Sequence, residues 1–421
     1  MNKYKKIVLS NKIPLFIVSW PAAPTATALI IFKTGSRYES KRLNGISHFL
    51  EHLFFKGTRR RPNTLALASE LDSLGAEYNA FTAKEYTGYW LKVAPGKLAP
   101  ALDVMSDMLL HSLFKPKEIA REKGVIIEEL NMYEDNPLLH IEDVFENCLY
   151  GDSPAGRETI GTKANIRRFH RTDFIRYLKT QYGAGSAFVI LAGAVKEKEK
   201  RAAVKLFSAF SANPWRDKEA VREKQMRPQV KGLYKKTDSV NLSLGVRACP
   251  LGHADELKVR LLAVILGGSM SSRLFIRLRE RSGLAYTVRT GTEFYSDSGY
   301  LTTQAGVPIA KTAAAIKIIL AQYRKMASLP VDGRELRRAK DLLSGRVLLQ
   351  MEATDNVAVW YARQAVLRPA MITPKEFLRR INKITPRQLL KTAKKIFVND
   401  KLNLALIGPL KAETFRPILE L

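Results

Sequence analysis

His48-Phe49-Leu50-Glu51-His52 places two imidazoles four residues apart, with a carboxylate directly before the second. On a helix, positions i, i+3 and i+4 share a face. Two neutral imidazoles one turn apart can both reach one Zn²⁺. A neighbouring carboxylate can take a proton from a metal-activated water without being a ligand itself. With 6 His and 40 Asp or Glu in 421 residues, random placement yields only about 0.008 such patterns. Ile46, Phe49, Leu50, Leu53 and Phe54 would bury one side of this helix and leave the histidines at the edge of the buried side.

Catalytic zinc usually keeps three protein ligands and one open position, so a third is needed. The stretch Arg121-Glu122-Lys123-Gly124-Val125-Ile126-Ile127-Glu128-Glu129-Leu130 offers acids on an expected helix. Glu122 and Glu129 lie two turns apart on one face, and Glu128 lies about 100° round from Glu129. Helical geometry alone does not choose between Glu128 and Glu129.

With these residues in place, the chain resembles the pitrilysin-type inverzincin metallopeptidases, on the mitochondrial processing peptidase-like branch. That family pairs H-x-x-E-H with a distal E-x6-E, and Glu129 here falls where the second Glu of that pair is expected after His52. The resemblance implies His48, His52 and Glu129 as ligands of one Zn²⁺ per chain, and Glu51 as general base. It implies Glu122 as the acid that orients a ligand imidazole. Gly35-Ser36-Arg37-Tyr38-Glu39, Asn79-Ala80-Phe81-Thr82, Met132-Tyr133-Glu134-Asp135, Tyr150-Gly151, Gly156-Arg157 and Gly161-Thr162 also match; Ser153 and Ala155 depart from the family's commoner His and Leu.

A chain of 421 residues is long enough for more than one domain. Two cysteines, Cys148 and Cys249, outside any ligand pattern, argue against a disulfide framework and for a reducing, cytoplasmic setting. The lysine-rich start is broken by Asn11-Lys12 and Pro14, which reads as a hairpin rather than a signal peptide. No run approaches 18 apolar residues, so no membrane span is expected. The net charge of +29 admits nucleic-acid or anionic-surface binding as another class of function. The basic residues are spread along the chain, though, and runs such as Lys196 to Arg201 read as solvated faces. No nucleic-acid-binding motif appears.

The first half reads as strands near 5–9, 14–19 and 26–34, the motif helix at 44–56, and a helix at 64–74 between an Asn63 cap and Gly75. Strands follow at Glu77 to Phe81 and Tyr86 to Val93. Helices then run to about 180, and a strand near Ala187 and a helix near 196–210 close this half. Residues 211–232, with Pro214 and Pro228, form a polar linker. Beyond it, a strand at Val240 to Ala248 and a helix at Asp255 to Leu266 repeat the order seen around Thr27 to Phe55. Helices at 310–327, 333–350, 355–367 and 375–395 and a strand at Leu402 to Ile407 complete the chain. The expected class is α+β, with two duplicated domains, each a mostly antiparallel sheet packed with helices, together one half of a clamshell. The domains would be 1–215, holding zinc, and 233–421, joined by 216–232. The helix at 255–266 carries no histidine, so only the first copy can hold the metal.

The family carries an Arg and a Tyr seven residues apart in the second half, and Arg279 and Tyr286 fall there. By resemblance they bind substrate carbonyls and steady the oxyanion, a task that suits two donors. The resemblance also implies a zinc-dependent endopeptidase acting on peptides, with the substrate adding as a strand beside Asn79, Ala80, Phe81 and Thr82. It implies a homodimer, because chambers of this kind combine two halves. A zinc-bearing or non-catalytic subunit of a heterodimer is the alternative.

Overall fold

The computed structural model describes residues 3–213 and 215–421; Pro214 of the linker lies outside them. The chain divides into two units, and the division is not a single cut. The first unit takes residues up to Asn131, Glu158–Glu219 and Leu348–Pro374, and the second takes Met132–Arg157, Ala220–Val347 and Lys375–Leu421.

Strands β1 (Lys5–Val8), β2 (Pro14–Ser19) and β3 (Ala26–Phe32) lead to helices α1 (Ile46–Phe54) and α2 (Thr64–Ser73). Then come β4 (Glu77–Thr82), β5 (Thr87–Val93), α3 (Leu98–His111), α4 (Pro116–Asp135), α5 (Pro137–Tyr150), α6 (Lys163–Arg168), α7 (Arg171–Gln181), β6 (Ala187–Gly193) and α8 (Glu197–Phe207). The first unit's sheet runs β1-β2-β6-β3-β5-β4, antiparallel except for β2 beside β6. Its strands obey the period of two. Leu15, Ile17, Ala28 and Ile30 face a core shared with α1, α3 and α7, whereas Phe16, Val18, Leu29 and Ile31 face the other way. A sheet buried on both faces reads as a near-continuous apolar run, and all seven residues of β3 are buried, the one polar residue, Thr27, by way of a hydrogen bond to Thr354.

The second half supplies β7 (Gln229–Tyr234), β8 (Ser239–Ala248), α9 (Glu256–Gly267), β9 (Thr287–Phe294), β10 (Gly299–Pro308), α10 (Thr312–Ser328), α11 (Gly333–Gln350), α12 (Thr354–Leu367), α13 (Pro374–Asn382), α14 (Pro386–Ile396) and β11 (Leu402–Gly408). Its sheet runs β7-β11-β8-β10-β9, with β7 parallel to β11 and the rest antiparallel. Leaving β1 aside and counting strands in chain order, both sheets read 1-5-2-4-3. The duplication expected from the sequence is therefore present, in a mostly antiparallel α+β fold.

The helix closing each sheet's second face comes from the other half of the chain. In the first unit Val357, Ala358 and Tyr361 of α12 cover Phe16, Leu29 and Ile31. Thr354 anchors α12 by hydrogen bonds to Thr25 and Thr27 at 2.7 and 2.8 Å. In the second, Ile141, Val144 and Phe145 of α5 pack on Ala405, Ile407 and Tyr300. The expected single helix over 375–395 is two, because Thr385 caps a fresh start at Pro386. Strand β7 begins inside the stretch read as linker, and β9 and β10 were not anticipated.

Candidate metal centre

The helix carrying the motif is fixed from its N-terminal end. Gly45 sits at φ 98°, and a Cβ there would meet Ile160 O at 2.6 Å, so only glycine enters this turn. Glu39, 2 % exposed, takes the role of cap: Oε2 accepts from Gly45 N at 2.7 Å and Oε1 from Ser47 N at 2.8 Å. A carboxylate suits the positive end of the helix. Burial pushes the Glu39 carboxyl up, against the downward pull of these donors. The run from Gly35 lies along the loop after β4, with Ser36 N bonded to Ala83 O and Arg37 N to Lys84 O. A Cβ on Gly35 would lie 2.1 Å from Ala83 O. Buried Arg37 pairs with Glu85 at 2.7 Å. This explains why the Gly35-to-Glu39 run accompanies the motif: it is the seat of α1.

Ile46, Phe49, Leu50, Leu53 and Phe54 are all buried, as the helical pattern requires. His48 and His52 stand at the margin, their rings 4.9 Å apart. On α4, Glu129 turns toward them, and Glu128 is exposed against Asn131. Glu129 Oε1 lies 3.6 Å from His48 Nε2, and Oε2 lies 3.4 Å from His52 Nε2. These separations exceed a good N–H···O bond of about 2.9 Å. They match the edge of a tetrahedron with bonds of about 2.1 Å to a central Zn²⁺, roughly 3.4 Å. The donor set, two imidazoles and one carboxylate, therefore fits a zinc ion. It is the one such cluster among the described residues.

Glu122, buried behind His52, accepts from Nδ1 at 3.2 Å, which leaves Nε2 free to ligate. Its other oxygen pairs with Lys56 Nζ at 2.8 Å. Lys56 was missed in the sequence, although it lies one helical turn past His52. Burial pulls the His52 imidazolium down, but Glu122 and Glu129 outweigh it and hold it at about 9. His48 and His52 draw the Glu129 carboxyl well below its ordinary range. Burial raises Glu122, yet His52 and Lys56 keep it below the usual carboxylate range.

Glu51 receives a 2.6 Å hydrogen bond from Thr82 at the end of β4. That strand is the last in its sheet, so its outer edge pairs with no other strand among the described residues. Phe81 lies over Gly88 of β5 on the face toward α12, whereas Ala80 packs on the α1 side. Asn79 is exposed and bonds its own chain at Ala80 N. Arg279 lies in the second unit, in a π-helical turn over Phe275–Arg281. Its guanidinium stands 5.1 Å from the Phe275 ring and 5.4 Å from that of Tyr286, which is 81 % exposed.

Fold and cluster together define a class: a duplicated α+β chain whose first copy carries a cluster able to hold a metal ion, with no second such cluster among the described residues. Residues 16–163 match the family model described as Insulinase (Peptidase family M16), and residues 168–343 match that of the Peptidase M16 inactive domain. The chain belongs to peptidase family M16. It is 32 % identical over 409 residues to YmxG of Bacillus subtilis, named an uncharacterized zinc protease, covering 96 % of this chain and 98 % of that one. It is also 32 % identical over 407 residues to an uncharacterized zinc protease of Rickettsia felis, at 95 % and 96 % coverage. In fold it resembles a protease from Helicobacter pylori, with TM-score 0.89 and 22 % identity over 97 % of this chain and all of that one. These matches are to the family; the processing-peptidase branch remains an expectation. Among the described residues no helix is long and apolar enough to cross a membrane.

Proposed function

We propose that this chain is a zinc-dependent metalloendopeptidase that cleaves peptides or unfolded polypeptide segments within a homodimer. The observation that carries the reading is the convergence of His48 Nε2, His52 Nε2 and Glu129 at tetrahedral-edge spacing, with Glu51 directly before His52. Zinc held there supplies Lewis acidity toward a water and the scissile carbonyl. Glu51 takes the proton of the attacking water and returns it to the leaving amine, and Thr82 steadies its other oxygen. Glu122 keeps His52 in the ligating tautomer. The open edge of β4 takes the substrate as an added strand, by backbone pairing that tolerates many sequences.

Arg279 and Tyr286 donate to the developing oxyanion. They lie in the copy without metal ligands, and the family resemblance supports their delivery from a second chain. The test mixes Glu51→Gln chains with Arg279→Ala chains, each inactive alone. Composite sites predict that mixed dimers regain one working site, about a quarter of wild-type activity at random exchange. Absence of recovery, with subunit exchange demonstrated, removes the composite site. Zinc content and loss of hydrolysis in Glu51→Gln test the chemistry separately.

A further inference from the structure

The chain's positive charge is not evenly laid. Between Pro374 and Ile396 about every third position is Lys or Arg, and Glu376 is the single acid. This twentieth of the chain thus holds about a quarter of its net charge of +29. Every one of these cations is exposed.

The helices beneath are firmly seated. Phe377 and Ile381 of α13, and Leu389, Ala393 and Ile396 of α14, are buried. A capping box between Thr385 and Gln388 starts α14, which packs on α9 and α10. The cations therefore stand on a fixed support. Some are neutralised in place: Arg379 and Arg380 by Glu376 at 2.7 and 2.8 Å, and Lys395 by Asp255 at 3.2 Å. Lys375, Lys383, Arg387, Lys391 and Lys394 pair with no acid among the described residues. Arg387, Lys391 and Lys394 follow i, i+4, i+7 and line one face of α14 over roughly 10 Å. Lys317 and Lys325 extend the positive field on neighbouring α10, which has no acidic residue.

We infer that this face is a docking surface for an anionic lipid bilayer. Four of the five unpaired groups are lysines, compact point charges that suit a field of headgroups better than the bidentate phosphate recognition that favours arginine. The aromatic rings here, Phe377 and Phe397, are buried, so the face has no platform for stacking bases. No large apolar side chain of α13 or α14 is exposed for insertion, so attachment is by charge alone, peripheral and reversible. The surface lies apart from the metal ligands in sequence and in unit, and adds to the peptidase a place of work.

The experiment is co-sedimentation of the whole protein with vesicles of phosphatidylcholine alone or mixed with phosphatidylglycerol. The patch variant is Lys383→Gln, Arg387→Gln, Lys391→Gln and Lys394→Gln together, its fold checked by circular dichroism. A control carries Gln at Lys97, Lys117, Lys198 and Lys205, four exposed lysines of the first unit, and so has the same net charge. Each cation near an anionic leaflet is worth about fivefold. The patch variant should bind the mixed vesicles several hundredfold more weakly at about 50 mM salt, and the control should bind nearly as the parent. Equal binding to neutral vesicles, equal weakening in the control, or tighter binding to duplex DNA than to the anionic vesicles would each overturn the proposal.

Discussion

Glu39→Gln tests whether the metal-bearing helix is held from its distant end. The substitution keeps shape and volume, so the site does not collapse. Glu39 serves two buried backbone donors, Gly45 N and Ser47 N, with one carboxylate oxygen each. A glutamine has one acceptor oxygen, and its NH₂ must face the other N–H. A charge-assisted bond is worth about 1.5–3 kcal/mol, and an orphaned buried donor costs about 1–3 kcal/mol. The carboxylate's attraction to the helix terminus adds up to about 2 kcal/mol. Burial already outweighs the pull of the donors on this carboxylate, so relief from burying the charge cancels the charge-assisted and helix-terminus gains, and the orphaned donor leaves a net loss of about 2 kcal/mol in the local stability of α1. At about 1.36 kcal/mol per decade, that is roughly thirtyfold. Hydrogen exchange of the amides from Ser47 to Leu50 in the metal-free protein reads it directly. Protection within threefold of the parent would refute the capping role. Because His48 and His52 ride on this helix, zinc affinity should fall in the same variant.

Three further outcomes are expected. Glu122→Ala frees His52 Nδ1 and strands Lys56, and should weaken zinc about 10- to 100-fold in chelator competition. Thr82→Val removes the hydrogen bond to Glu51 and should lower kcat about tenfold at unchanged zinc content, since it touches the base and no ligand. The loop after α1 is tied by Asp103 and Asp107. Burial raises both carboxyls, but Arg60 and Arg61 at Asp103, and Thr58 and Arg61 at Asp107, outweigh it and hold both below the usual range. A lowered folded pKa gives stability that is present above the unfolded value, about 3.8, and lost as pH falls below it. Acid-active protease should therefore begin to nick near Arg59–Arg61 only as pH drops through that range.

Much of this molecule is written locally in its sequence, and what escaped was not. Short apolar runs marked β2 and β3, alternation marked β5, and the His48-to-His52 motif with its apolar flanks marked α1. Choosing Glu129 over Glu128 needed the resemblance, because a helix wheel cannot say what lies opposite. Strands β9 and β10 escaped because Thr and Gly at 290–292, and Thr and Gln at 302–304, dilute the apolar alternation that marks a half-buried strand. The break at Pro386 carried a clear signal, Thr385-Pro386 with Gln388 three residues past the cap, which a single helix over 375–395 passes over. Lys56 was invisible as a partner of Glu122, since the two stand far apart along the chain and meet only when α4 packs.

The exchange of α5 and α12 governs how the protein can be made. A ribosome delivers the first unit's sheet by Gly193, but Phe16, Val18, Leu29, Ile31 and Ile190 have no cover until Val357 and Tyr361 emerge. Throughout synthesis of the chain between Gly193 and Val357, one face of that sheet is bare, a long exposure to mispairing. Neither half is a separable module. A break in the linker leaves each fragment with a helix it cannot use and a sheet it cannot close. The first fragment alone should be insoluble, and mixing the two during refolding should restore what neither holds.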